Sequence, residues 1–479
     1  MSHVEKTKTV YVGANLGSLL IAFAIGFSIW LIPAPAAIDP KAWQLLAIFA
    51  GLIAGLIGKA LPMGGISFLA LTLLLVTNTL TMKEAFSGFS HPIIWLVIAS
   101  FFIAKAFIKT GLGMRLAYHF VALFGKKTLS LCYSITATEL LLAPAIPSAT
   151  ARAGGIIFPI VKSLAVSFGS TPERHSQRLI GSYLILTAYY INLVTSAMFI
   201  TAMAANPLIV AIFQDFGIHV TWGSWALAAS VPGLICIVTV PYIIYKLYPP
   251  EIKDTPEAAK MAHGELNKMG SITPYEWITF AVFVMLILLW IFGENLFGLE
   301  GTTVALMGVS ILMTTGVLTW DDIKKEHEAW DTLIWFSTLL MMAGFLNSFG
   351  LTKWFSNHIQ FMLEGTSVFI AFPCLVFIYF FSHYFFASNT AHITSMFAAF
   401  LSVGIAIGAP PYLIAFSLAF SSSLFSCLTH YGTGCAPILF GSEYVNLKTW
   451  WKLGAVIGVY FLLVFVGIGS LWWKVLGLW

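Results

Sequence analysis

Long unbroken apolar runs restrict this chain more than any other feature. Eleven of them lie near residues 12–33, 41–60, 64–80, 92–109, 178–212, 224–247, 275–293, 302–319, 331–351, 411–440 and 453–473. Most approach or exceed the roughly 20 residues that a helix needs to cross a hydrocarbon core. The runs are continuous rather than alternating, so they predict helices and not barrel strands. A soluble fold also needs a wetted exterior, and only 9% of these residues are charged against about 25% in ordinary soluble domains. The expected fold is therefore an all-α polytopic membrane protein, with its 16 Trp and 16 Tyr supplying interfacial anchors. A net charge of +4 gives no argument for nucleic acid. Cys132, Cys236, Cys374, Cys427 and Cys435 lack metal-ligand spacing and read as small core residues, so no metal is expected. The polar start is followed by no signal-peptidase-like site, so the first helix is expected to be retained.

Two further apolar regions, 128–168 and 368–405, are interrupted by polar residues and read as re-entrant hairpins. With the N-terminal Lys6 and Lys8 in the cytoplasm, this reading puts most basic residues inside, as the loop-charge rule requires. Lys109, Arg115, Lys126, Lys127, Lys162, Arg174 and Arg178 fall inside, as do Lys246, Lys253, Lys260, Lys268, Lys324, Lys325, Lys448 and Lys452. Lys41, Lys83, Lys353 and Lys474 fall outside. The result is about 11 transmembrane helices in a cytoplasmic (inner) membrane, with the N-terminus inside and the C-terminus outside. The hydrophilic stretch 248–274 divides the chain into residues 1–247, with six helices and hairpin 128–168, and residues 275–479, with five helices and hairpin 368–405.

The halves repeat. Ile94-Trp95 recurs as Ile334-Trp335, and PSATAR (Pro147 to Arg152) recurs as ASNTAH (Ala387 to His392), both 240 residues on. Leu80-Thr81 and Leu318-Thr319 each precede a short charged stretch. Five predicted crossings separate the two S-x-T-A motifs, an odd number, so the second copy is inverted. Inverted repeats with interrupted apolar segments at matching places point to a secondary transporter with its site near the midplane.

Each interruption carries Ser-x-Thr-Ala and then a basic residue: Ser148, Ala149, Thr150 and Arg152 in the first, Ser388, Asn389, Thr390 and His392 in the second. Ser is a good N-cap, so hydroxyls and free N–H groups should point to the tip. A helix N-terminus favours a carboxylate. Two opposed tips would make a site with two ends, suited to a substrate with two carboxylates. An arginine inside an apolar span is functional by default; the competing reading is that Arg152 caps carbonyls or pairs with Glu139. Glu139 and His383 read as structural. The last span, LTHYGTGCAPILFG (Leu428 to Gly441), cannot run as an unbroken helix through Gly432, Thr433, Gly434 and Pro437. TSAMFITAMAANP (Thr195 to Pro207) is its counterpart. Either break is a packing kink or unwound backbone lining a site.

These motifs, with TGLG (Thr110 to Gly113) and LLLAPAIPSATARAGG (Leu140 to Gly155), resemble the divalent anion/sodium symporter family. The similarity is greatest to its branch of bacterial citrate/succinate antiporters and the plastid 2-oxoglutarate/malate translocator. The resemblance implies a homodimer with scaffold and transport domains moving as an elevator. It implies substrate contacts at Thr150, Asn389, Thr390, Thr433 and Gly434, with Ser148 and Ser388 shaping the tips. Ala149 departs from the family's usual Asn and removes one amide donor. In sodium-coupled members the tips also hold sodium; here Arg152 and His392 are expected to supply that positive charge, so no cofactor or sodium ion is needed. A bound dianion would offset the charge, giving exchange rather than net uptake.

Three other classes compete. A sodium- or proton-coupled carboxylate symporter would share the fold. An anion channel would normally use rings of like charge. For a membrane enzyme, Ser388 and His392 resemble a nucleophile and base only in spacing.

Overall fold

A computed structural model describes residues 13–35, 38–351, 353–355, 358 and 367–479; Lys6 and Lys8 lie outside them. Among the described residues the chain is helical with no β-strand. Among the described residues ten helices are long and apolar enough to cross a membrane.

The candidate spans fall on helices, but 178–212 and 411–440 are each split by a non-helical break, and three of the ten long apolar helices lie in the two interrupted regions. The first half runs α1 (Leu16–Leu31), α2 (Pro40–Ile57), α3 (Met63–Val76), the short α4 (Met82–Ala85) and α5 (Pro92–Thr110). It continues through α6 (Leu112–Phe124), α7 (Thr128–Leu142), α8 (Ala149–Ser167), α9 (Gly181–Met198), α10 (Ala205–Asp215) and α11 (Trp222–Leu247). After α12 (Pro256–Met269) come α13 (Pro274–Phe297), α14 (Gly301–Thr314), α15 (Trp320–Lys324) and α16 (His327–Ser348). The last helices are α17 (Val368–Phe381), α18 (Asn389–Ala406), α19 (Pro411–Leu424), α20 (Cys435–Phe440) and α21 (Leu447–Val475).

The order α3-α4-α5 recurs as α14-α15-α16, and the copies match in local chemistry. Thr81 caps α4 and receives Glu84 at its own N–H (2.8 Å); Thr319 caps α15 and receives Asp322 in the same way (2.8 Å). Each reciprocal cap satisfies donors that a helix start leaves bare. Burial opposes ionisation of Asp322, but Lys109 at 2.6 Å and the Thr319 cap outweigh it and hold the carboxyl at about 2. The sequence α7-α8-α9-α10-α11 likewise recurs as α17-α18-α19-α20-α21.

Two elements depart from expectation. The hydrophilic stretch 248–274 contains α12, which buries Ala258, Ala259 and Ala262, and it packs on α6. Neither helix reads as a span, α6 because it has only 13 residues and α12 because it is polar; each is stabilised by the other. Arg115 of α6 clamps the end of this linker. It donates to Glu276 (2.5 Å) and to the Gly270 carbonyl (2.9 Å), with both side chains of the ion pair nearly fully buried. Arg115→Ala is expected to lower stability by about 3 kcal/mol, because it strands a buried carboxylate. Thermal unfolding measures this, and Arg115→Lys should recover only part, since one ammonium cannot serve the same fork of acceptors. The cysteine reading also needs correction: four are buried, but Cys374 is exposed on α17.

Candidate functional site

Both interrupted regions are a helix, a short turn and a second helix. In each, the second helix starts at the motif serine. Ser148 Oγ accepts from the Ala151 N–H (3.1 Å) and Ser388 Oγ from the Ala391 N–H (3.5 Å). The N–H groups of the first turn beyond these caps have no intrahelical acceptor, so each tip offers donors. The spans that follow are both broken. Between α9 and α10 lie a single 3-10 turn, Ile200–Ala202, and the extended residues Phe199 and Met203. Between α19 and α20 lie a 3-10 turn, Phe425–Leu428, and residues 429–434.

Carbonyls freed by a break at membrane depth need donors from the protein, and the chain supplies them. Asn206 Nδ2 donates to the Ser196 and Phe199 carbonyls at 2.8 and 2.9 Å. Tyr189 Oη donates to Ser426 O (2.5 Å), and Trp450 Nε1 to Thr429 O (3.2 Å). These side chains fix the breaks, so both are built features.

The breaks join the tips. At Gly434 an added Cβ would lie 2.4 Å from Thr150 Oγ1, which places the second break against the first tip. His383, just before the second tip, bonds the Gly432 carbonyl (3.0 Å). Asn389 Nδ2 lies 3.5 Å from the sulfur of Met203, in the first break. Arg152 Nη1 donates to Ala202 O next door (2.6 Å). Both tips and both breaks thus converge on one place.

The ten expected residues divide into two layers there. Ser148, Ala149, Thr150, Ser388 and Thr390 are half-buried and Gly434 is exposed, with Asn389 and Thr433 just beneath. Arg152 and His392 lie behind them, at 0% exposure. Arg152 is not a free cation. Its Nε donates to Glu139 Oε1 (2.8 Å), Nη1 to the Ile146 and Ala202 carbonyls, and Nη2 to Ser196 Oγ (2.7 Å). Glu139 Oε1 also accepts from Asn192 (2.7 Å) and Thr195 (3.2 Å). The expectation that Arg152 brings uncompensated charge is therefore corrected: Glu139 balances it, as the competing reading held. The guanidinium instead ties tip residue Ile146 to the break at Ala202. His392 is packed between the rings of Phe386 and Phe425 and bonded to His383 (3.1 Å).

Sequence reasoning missed Asn192, which reaches Glu139, the Ala149 carbonyl (3.2 Å) and, through Oδ1, the Cys435 thiol (3.4 Å). Its signal was an amide at the middle of an apolar span, which is functional or structural by default.

Fold and site together define a polytopic all-helical membrane transporter. The transmembrane region of the sodium:sulfate symporters matches residues 14–479, and the chain belongs to that family. It is 52% identical, over 99% of both chains, to the putative malate transporter YflS of Bacillus subtilis. It is 47% identical to the chloroplastic dicarboxylate transporter 1 of Spinacia oleracea, over 98% of this chain and 82% of the relative. Among solved structures, the YdaH transporter of Alcanivorax borkumensis shares the fold at 12% identity, with a TM-score of 0.53 over 91% of this chain and 98% of that one.

Proposed function

We propose that this protein exchanges small dicarboxylates, such as 2-oxoglutarate, malate or succinate, across the cytoplasmic membrane. The observation that carries the reading is the convergence of two serine-capped helix starts on one site, with the Thr150–Gly434 contact between them. Each helix start favours one carboxylate. In this reading Ser148, Ala149 and Thr150 face one end of the substrate, Ser388, Asn389 and Thr390 face the other, and Thr433 and Gly434 line the wall between. The names of the malate and dicarboxylate transporters among the relatives support the substrate class.

In the same reading regions 128–168 and 368–405 are re-entrant hairpins, residues 1–247 and 275–479 are inverted repeats, and the termini lie inside and outside. The hairpins and broken spans move as an elevator against the remaining helices of a homodimer. The Arg152 guanidinium, bonded to carbonyls of the first tip and first break, does the work that a bound cation would do there. That favours transport without sodium.

Proteoliposomes test this. Labelled malate is expected to enter only vesicles preloaded with a dicarboxylate, at the same rate with and without sodium. Uptake into unloaded vesicles that requires sodium or a proton gradient would establish the symport alternative instead.

A further inference from the structure

The two tips differ in how their buried cation is balanced. Glu139 and Arg152 occupy positions that Tyr379 and His392 occupy 240 residues later. In the second copy the carboxylate is thus replaced by a phenol, whose ring packs against His392 (4.7 Å between centroids) and whose hydroxyl bonds Ser422 (2.7 Å). A second histidine, His383, joins instead, and both rings are fully buried.

His383 Nε2 lies 3.0 Å from the Gly432 carbonyl, which can only accept, so Nε2 carries a hydrogen. The two Nδ1 atoms are 3.1 Å apart and share one hydrogen. His392 Nε2 lies 3.1 Å from Ser382 Oγ, and that hydroxyl lies 2.8 Å from the Tyr379 carbonyl. A serine hydroxyl has one hydrogen to give. If both rings are neutral, Ser382 must choose between His392 and Tyr379, and one contact has no hydrogen. With one added proton, His392 donates to Ser382, Ser382 donates to Tyr379, and all four contacts are hydrogen bonds.

A buried cation needs a counter-charge. Among the described residues neither ring forms an ion pair with a carboxylate. The titratable groups on the elements packed against this tip are Cys374, Tyr379 and Tyr384 before it, and Tyr412 and Cys427 on α19 and the turn that follows. His430 and Tyr431 lie in the break, and Asp215 and Lys41 sit at helix ends. None replaces Glu139. The missing negative charge is that of a substrate carboxylate at Ser388, Asn389 and Thr390, whose helix also carries His392.

We infer that His383 and His392 form one proton-binding site, and that this site takes up a proton as the dicarboxylate binds. The inference rests on the carboxylate reading above. By reciprocity, a dianion that raises proton affinity is itself bound more tightly when the proton is present. His383 also holds Gly432, so the protonation state reaches the wall formed by Thr433 and Gly434.

Calorimetric titration of the purified protein with succinate, in buffers of different ionisation enthalpy, tests this. The wild type is expected to absorb close to one proton per succinate. Its affinity should rise as pH falls, by up to about tenfold per pH unit while succinate remains a dianion. His392→Asn removes the ring whose Nε2 gains the added hydrogen; its proton uptake should fall to zero and its pH dependence flatten. Succinate binding by the wild type without proton uptake overturns the inference, and this arm needs no variant to fold. Full uptake retained in both His383→Asn and His392→Asn also overturns it, by assigning the proton elsewhere. A wild type that binds no dicarboxylate at all rejects the carboxylate reading and the proton site together, a result distinct from binding without a proton.

Discussion

Arg152→Ala is expected to abolish exchange and to destabilise the fold by about 3–5 kcal/mol, the range for breaking a buried ion pair from one side. The loss has two parts. Glu139 is left as a buried carboxylate, still bonded to Asn192 and Thr195 but without its cation. The Ile146 and Ala202 carbonyls and Ser196 also lose their donor. A double variant separates stability from function. Arg152→Met with Glu139→Gln removes both charges and keeps most of the volume, and neutral replacements of buried pairs are often tolerated. The double variant should recover much of the melting temperature lost in Arg152→Ala, yet remain inactive, because nothing then ties the first tip to the first break. Thermal unfolding and proteoliposome exchange on the same preparations give both answers. Wild-type exchange kinetics in Arg152→Ala would remove Arg152 from the mechanism.

Gly434→Ala should show the opposite profile, a near-native melting temperature with at least a tenfold loss of exchange. Gly434 is exposed and in the right-handed helical region, so the backbone accepts alanine there without strain. Surface changes of that kind usually stay within about 0.5 kcal/mol. The new methyl group would sit 2.4 Å from Thr150 Oγ1, so it must push the threonine out of place. Small misplacements of a positioning group can cost tenfold to a hundredfold in rate. The Michaelis constant should carry most of the change, since the wall of the site is what moves. If Gly434→Ala exchanges like the wild type, the Thr150–Gly434 contact is not part of the substrate site.

How far the sequence alone reaches follows from which interactions are local. The spans, both interruptions and both serine caps were legible, because apolar run length and capping depend on neighbouring residues. The two motif copies were legible because they keep a nearly constant offset. The balance of charge was not. Glu139 lies 13 residues before Arg152, on the other arm of the turn, and nothing in their spacing decides between an ion pair and a free cation. Asn192 and Ser196 were missed because their partners come from other helices. His383 was read as structural because its contacts to His392 and Gly432 exist only once the turn and the last break are folded together. Helices α6 and α12 escaped notice for a similar reason, since each is stabilised by a surface far away in sequence.

The most direct measurement is the structure of the protein in a lipid nanodisc with succinate bound. Density for one carboxylate should lie within hydrogen-bond reach of the residues around Ser148 and Thr150. Density for the other should lie against Asn389 and Thr390, with the carbon chain passing Gly434. Succinate seated at one tip only, or anywhere else in the protein, would contradict a site built from two opposed helix starts.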